Sequence, residues 1–400
     1  MLRDLGHPGE VLGSITPNWY ASIMGTGIVA TAAATLPLQF GGLRAFATVV
    51  WAAAAILLIG LTAATVLHWR QHRQVARGYH FDPVMVHFYG APPMALLTVG
   101  AGTLLLGRDV LGLRAAVDLD WVLWFAGTIT GLLAAVAVPY LQFTRHEGVD
   151  ERSAFGGWLM PVVPPMVSAS TGALLVPYSA AGQVRLTLLM CCYAMFGLSL
   201  IASLVVITLI WYRLAVHKTG PARMVPTLWI VLGPLGQSIT AANLLGGVAA
   251  QAMPRPYSTA LEAFGVVYGV PVWGFAVLWA ALAAAITLRT ARGHLPFSLT
   301  WWSFTFPVGT CVTGTTELAL HTGSVMFRWA AVACYAGLLA AWITVAARTA
   351  RGSIRGGLFL PPAAPATVQA PPDRDEQGGT RDRGSDHRPF VRRSVRWPRA

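Results

Sequence analysis

Ten stretches of this chain are long and apolar enough to cross a bilayer as helices, which takes about 20 mostly apolar residues each. They lie at residues 17–36, 45–69, 83–106, 120–142, 156–177, 187–212, 225–249, 258–288, 297–320 and 326–348. That pattern leaves little choice of fold class: an all-α integral membrane protein of ten transmembrane helices. Charge content supports it, since only 11% of the 400 residues are charged, against about a quarter in soluble domains.

The flanks differ from the middle. Residues 1–16 are mixed polar and read as a cytoplasmic N-terminal segment without a cleavable signal peptide. Residues 17–348 read as the ten-helix transmembrane domain. Residues 349–400 are rich in Pro, Gly, Arg and Asp, lack an apolar face, and read as a disordered cytoplasmic tail. The net charge of +12 does not point to nucleic acid, because the basic residues sit in short loops and in the tail. One set of loops carries ten of them, from Arg70 to Arg292, and the opposite set carries six, from Arg44 to Arg328. By the positive-inside rule both termini are cytoplasmic, in a multi-pass protein of the plasma (inner) membrane.

The odd-numbered segments are interrupted. The first carries Gly25-Thr26-Gly27, the third Gly90-Ala91-Pro92-Pro93, the fifth Pro161, Pro164 and Pro165, the seventh Gly233-Pro234-Leu235-Gly236, and the ninth Pro307 and Gly309. In four of the five a tryptophan stands five or six residues earlier: Trp19, Trp158, Trp229 and Trp302. The even segments are smoother, apart from Gly269-Val270-Pro271 in the eighth. The arrangement reads as five helical hairpins, each a broken helix followed by a plain one.

A proline removes one N–H and frees a carbonyl one turn back. In a bilayer such breaks persist only where protein or water satisfies them. Five breaks at similar depth predict a central cavity lined by the odd helices. They also predict half-helix N-termini with unpaired N–H groups, which favour an anion without a buried lysine or arginine. Candidate residues along the path are Thr26, His87, Ser168, Ser238, Thr310, Thr313 and Glu317. Glu317 reads either as a proton-linked group or as a wetted residue at the membrane surface. Asp82 is expected to cap the third helix. Cys191, Cys192, Cys311 and Cys334 lie in apolar runs without metal-ligand spacing, so no metal and no cofactor is expected. Phosphate-loop, dinucleotide and zinc-protease motifs are absent from the sequence, which argues against an enzyme.

The run Asn18-Trp19-Tyr20-Ala21-Ser22-Ile23-Met24-Gly25-Thr26-Gly27-Ile28 resembles the first helix of the tellurite-resistance/dicarboxylate transporter family, and Trp301-Trp302-Ser303-Phe304-Thr305-Phe306-Pro307 resembles its ninth. That family includes fungal malate permeases, sulphite efflux pumps and plant slow anion channels. The resemblance covers residues 17–348. It implies a quasi-fivefold ring of hairpins around a pore, a homotrimer, and a phenylalanine plug on the ninth helix, Phe306 here with Phe304 as the alternative. It also implies transport of small anions. C4-dicarboxylates such as malate are favoured, and an uncoupled channel or exporter for chloride, nitrate, sulphite or tellurite-related anions is the alternative.

Overall fold

The computed structural model describes residues 10–360, and it is helical throughout, with no strand among the described residues. Ten principal helices follow one another: α1 (Tyr20–Thr35), α2 (Leu43–Gln71), α3 (Ala91–Gly102), α4 (Leu113–Thr144), α5 (Pro164–Leu175), α6 (Gln183–His217), α7 (Leu232–Val248), α8 (Tyr257–Gly293), α9 (Phe306–Thr322) and α10 (Val325–Arg355). The even helices are long, from 29 to 37 residues, and the odd ones are short, from 12 to 17.

Each odd helix is preceded by a 3-10 lead-in: Pro17–Trp19, Met85–Gly90, Gly156–Leu159, Ala222–Val231 and Leu299–Phe304. The expected mid-helix kinks are therefore changes of helix type. Pro92 and Pro93, Pro164 and Pro165, and Pro307 stand in the first turn of the α-helix they open. A first-turn N–H has no intrahelical partner, so proline costs nothing there. Pro234 lies third in α7. The interruption expected at Gly25-Thr26-Gly27 does not exist. α1 runs unbroken through it, and the change of helix type comes earlier, at Trp19. The tryptophans that precede the interruptions all lie in these lead-ins.

Packing follows a cyclic order. α1 packs on α3, α3 on α5, α5 on α7, α7 on α9, and α9 on α1, and the lead-ins pack in the same order. Each even helix covers its own odd partner and also the next one along, with α10 returning to α1. Several indoles from the even helices anchor this second contact. Trp51 Nε1 donates to Val99 O (3.3 Å), Trp124 Nε1 to Ser168 O (2.9 Å), Trp273 Nε1 to Thr315 Oγ1 (3.0 Å) and Trp342 Nε1 to Thr26 Oγ1 (3.1 Å). From α6, Ser199 Oγ donates back to Val162 O (2.5 Å) instead.

Seven helical runs among the described residues are long and apolar enough to cross a membrane. The even helices bury only 22% to 33% of their most apolar window, whereas the runs containing α3 and α7 bury 67% and 89%. The even helices thus present Ile, Leu, Val and Phe outward, as lipid-facing helices do. The helices α1, α5 and α9, at 16, 12 and 17 residues, are too short to count without their lead-ins.

The stretch 349–360, expected to belong to a disordered tail, is ordered. α10 continues to Arg355, and the turn Gly357–Phe359 packs Phe359 against Trp19 with ring centroids 5.1 Å apart. A buried aromatic contact there outweighs the local Gly and Arg content. The remainder of that expected tail, 361–400, and residues 1–9 of the N-terminal segment lie outside the described residues.

Candidate functional site

Two cavities lie within the cycle of short helices. The larger has about 570 Å³ of atom-free volume, of which about 70 Å³ can hold the centres of water-sized molecules. That is space for several waters or one small oxyanion, since one water needs about 10–15 Å³ by this measure. All five odd helices contribute to it: Thr31 from α1, Thr98 from α3, Ser170 and Thr171 from α5, Gln237 and Thr240 from α7, and Thr313 and Glu317 from α9. The smaller cavity lies among the helix starts and is nearly all apolar, with Met24, Phe88, Met94, Met160 and Ile230 in its walls and about 20 Å³ free. Phe306 is the one residue that lines both. It is the first residue of α9 and is 2% exposed, so its ring closes one cavity from the other.

Why Phe306 stands there follows from the local sequence. Pro307 opens α9 and Thr305 Oγ1 donates to Trp302 O (2.7 Å), tying lead-in to helix. Gly309 brings α9 against Ile28 of α1, where a Cβ would collide with the isoleucine side chain. A Cβ on Gly25 would likewise strike Thr305 and Trp302, and one on Gly27 would come 2.8 Å from Thr98 Cγ2. These glycines serve close helix approach rather than a break. Phe304 turns the other way, with Trp229 and Trp301 at centroid distances of 5.5 and 5.6 Å, and lines neither cavity.

Of the expected path residues, Thr313 and Glu317 face the larger cavity. Gly233 and Pro307 border the smaller one. Thr26 instead receives the Trp342 indole, Ser168 Oγ accepts from Thr128 Oγ1 (3.0 Å), Ser238 Oγ accepts from Tyr268 (2.8 Å), and Thr310 Oγ1 donates to Leu232 O of α7 (3.2 Å). These four hold helices together and do not reach the cavity. His87 lines a separate side cavity, stacked on Trp158 at 6.1 Å. Asp82 forms the turn just ahead of the Met85–Gly90 lead-in, whose cap position is Val84, accepting from the N–H groups of Val84 and Met85 at 2.8 Å each. Thr31, Thr98 and Gln237 escaped notice. Helical spacing marks the wall: 28, 31 and 35 on α1, 237, 240 and 244 on α7, and 306, 313 and 317 on α9.

The electrostatics differ from expectation. The odd helices do not present rows of free N–H groups. The first turns of α3, α5 and α9 hold prolines, which have none, and N–H groups that remain bond back to the residue before the helix, as Gly309 does to Thr305 O (2.9 Å) and Met166 to Val163 O (2.9 Å). The wall hydroxyls also bond to their own helices, with Thr98 Oγ1 on Met94 O (2.6 Å) and Thr171 Oγ1 on Val167 O (2.9 Å). Gln237 donates to Ser170 Oγ, and its Oε1 is buried without a partner. Glu317 is the one ionisable group among the described residues lining this cavity. His321, one turn further along α9, stands 3.8 Å from its carboxylate.

Residues 14–350 match the family described as voltage-dependent anion channel, SLAC1. The chain belongs to that family. Among its relatives, a sulfite efflux pump of Arthroderma otae is 28% identical over 354 residues, covering 87% of this chain and 93% of the pump. An uncharacterized transporter of Methanocaldococcus jannaschii is 28% identical over 305 residues, covering 76% of this chain and 83% of the relative. The sulfite efflux pump of Saccharomyces cerevisiae is 21% identical over 360 residues, covering 76% and 78%. As a member of the voltage-dependent anion channel family the chain is a multi-pass membrane protein of anion transport, not an enzyme.

Proposed function

We propose that this protein moves small oxyanions of the sulfite class out across the plasma (inner) membrane, through the space inside the cycle of short helices. The observation that carries the reading is the pair of cavities walled by all five odd helices and separated by one buried ring, Phe306. In this reading the ten helices all span, as five hairpins in a ring around a pore, with both termini cytoplasmic and Phe306 as the gate. The apolar smaller cavity resists wetting while the ring is in place. Sulfite takes precedence over malate because the fungal relatives, those of Arthroderma otae and Saccharomyces cerevisiae, are sulfite efflux pumps. The anion is met by wall hydroxyls, which can rotate away from their carbonyls, and by the Gln237 amide. The homotrimer implied by the family resemblance belongs to the same reading.

The test is flux from proteoliposomes loaded in parallel with sulfite, nitrate, chloride and malate. Sulfite is expected to leave fastest and malate slowest. Malate flux alone, with sulfite retained, would overturn the assignment.

A further inference from the structure

A further polar cavity lies apart from the two central ones. It sits between the 146–153 connector, the end of α6 and the lead-ins of α3, α5 and α7, with about 220 Å³ open to water-sized molecules. It shares no lining residue with either central cavity. Arg213 of α6 forms part of its wall and is 7% exposed, the only buried arginine or lysine among the described residues. Its Nη1 donates to Thr219 O at 3.5 Å, its Nε has no partner, and none of the ion pairs among the described residues includes it. Two further nitrogens of the same wall, His87 Nδ1 and His146 Nδ1, are also buried without partners.

A buried guanidinium without a counter-charge is costly, and a low-dielectric site strongly favours an anion beside it. The nearby carboxylates are mostly engaged elsewhere. Asp150 accepts from Ser153 Oγ (2.9 Å) and the Arg152 N–H (3.0 Å), and Glu151 stands 3.4 Å from His217. Glu147 and Arg152 both line the cavity and are exposed, at its rim. Charge balance in the cavity therefore stays positive, counting two arginines against one carboxylate. A planar guanidinium edge takes two oxygens of one group. We propose that this cavity binds a phosphate- or sulfate-like oxyanion group through Arg213. α6 ends at His217, where an apolar helix leaves the bilayer, so the group is either a free ion or the phosphate of a lipid headgroup.

Hydrogen–deuterium exchange on the full chain distinguishes these sources. One arm adds inorganic phosphate to protein in detergent stripped of phospholipid. The other compares nanodiscs of phosphatidylglycerol with nanodiscs of an uncharged glycolipid. Slowed exchange across residues 146–153 and 219–224 is expected in at least one arm. Protection in the first identifies a free ion, and protection only in the second identifies a headgroup. Arg213→Gln should weaken the apparent affinity about tenfold or more, as loss of hydrogen bonds to a charged group does. Phe306→Ala should leave the affinity unchanged. Absence of protection in both wild-type arms overturns the site, whether or not the arginine variant folds. Equal protection in wild type and Arg213→Gln overturns it as well.

Discussion

Replacing Phe306 by alanine joins the two cavities, because no other side chain lines both. Anion flux through Phe306→Ala in proteoliposomes should rise about tenfold, the effect of lowering a barrier by about 1.4 kcal/mol. Unchanged flux with normal folding would remove the ring from the gate. Glu317 poses a different question. An ionised carboxylate in the larger cavity repels an anion, so proton and anion would enter together, with His321 leading toward the end of α9. An outward proton gradient should then accelerate wild-type anion efflux and leave Glu317→Gln indifferent to the gradient. Equal acceleration of both would make Glu317 a bystander. Phe306 entered through the family resemblance, and Thr313 and Glu317 as a hydroxyl and an ionisable group in an apolar run; all three line the larger cavity, at spacings of seven and four along α9. Thr26, Ser168, Ser238 and Thr310 were not separable from them. A buried hydroxyl serves a cavity or a neighbouring helix equally well, and only the partner, such as the Trp342 indole on Thr26, decides.

The odd helices change our view of what their prolines accomplish. Pro307 stands in the first turn of α9, so Pro307→Ala should alter stability by no more than about 1 kcal/mol, the effect expected through the unfolded chain. A proline that kinked a helix interior would be worth about 3 kcal/mol or more. Thermal unfolding in detergent separates the two. Gly309→Val, in contrast, drives a side chain into Ile28 and should cost about 1–3 kcal/mol as overpacking, with loss of flux, read by the same melt and the proteoliposome assay. Sequence marked the position of four interruptions but not their nature. Proline and glycine signal that a regular helix stops. Whether it stops by a kink or by a 3-10 start depends on the hydrogen bonds of the residues before it, which composition does not reveal. In α1 the signal misled, since Gly25 and Gly27 answer to Thr305 and Thr98 across the interface.

Each of the ten apolar runs overlaps one principal helix, and seven helical runs among the described residues are long and apolar enough to cross a membrane, of which the interrupted ones, containing α3 and α7, are the more deeply buried. The order of packing was hidden, because contacts such as Trp124 to Ser168 or Trp342 to Thr26 join residues 44 and 316 positions apart. Trp342→Phe removes the N–H that closes α10 onto α1 and should cost about 1 kcal/mol, visible as a lower melting temperature. Outward faces of the even helices are apolar along their length, and native mass spectrometry from detergent should find the trimer. A monomer throughout would withdraw that part of the reading.

Both ends of the described chain meet. Ser14 Oγ donates to Phe359 O at 2.6 Å, and Trp19 stacks on Phe359. A cyclic packing order whose ends touch has no privileged first hairpin. Joining residues 14 and 359 by a short linker and opening the chain at another connector between hairpins should yield a circular permutant with the same contacts. The order in which the ribosome delivers the hairpins is then a matter of history rather than of architecture.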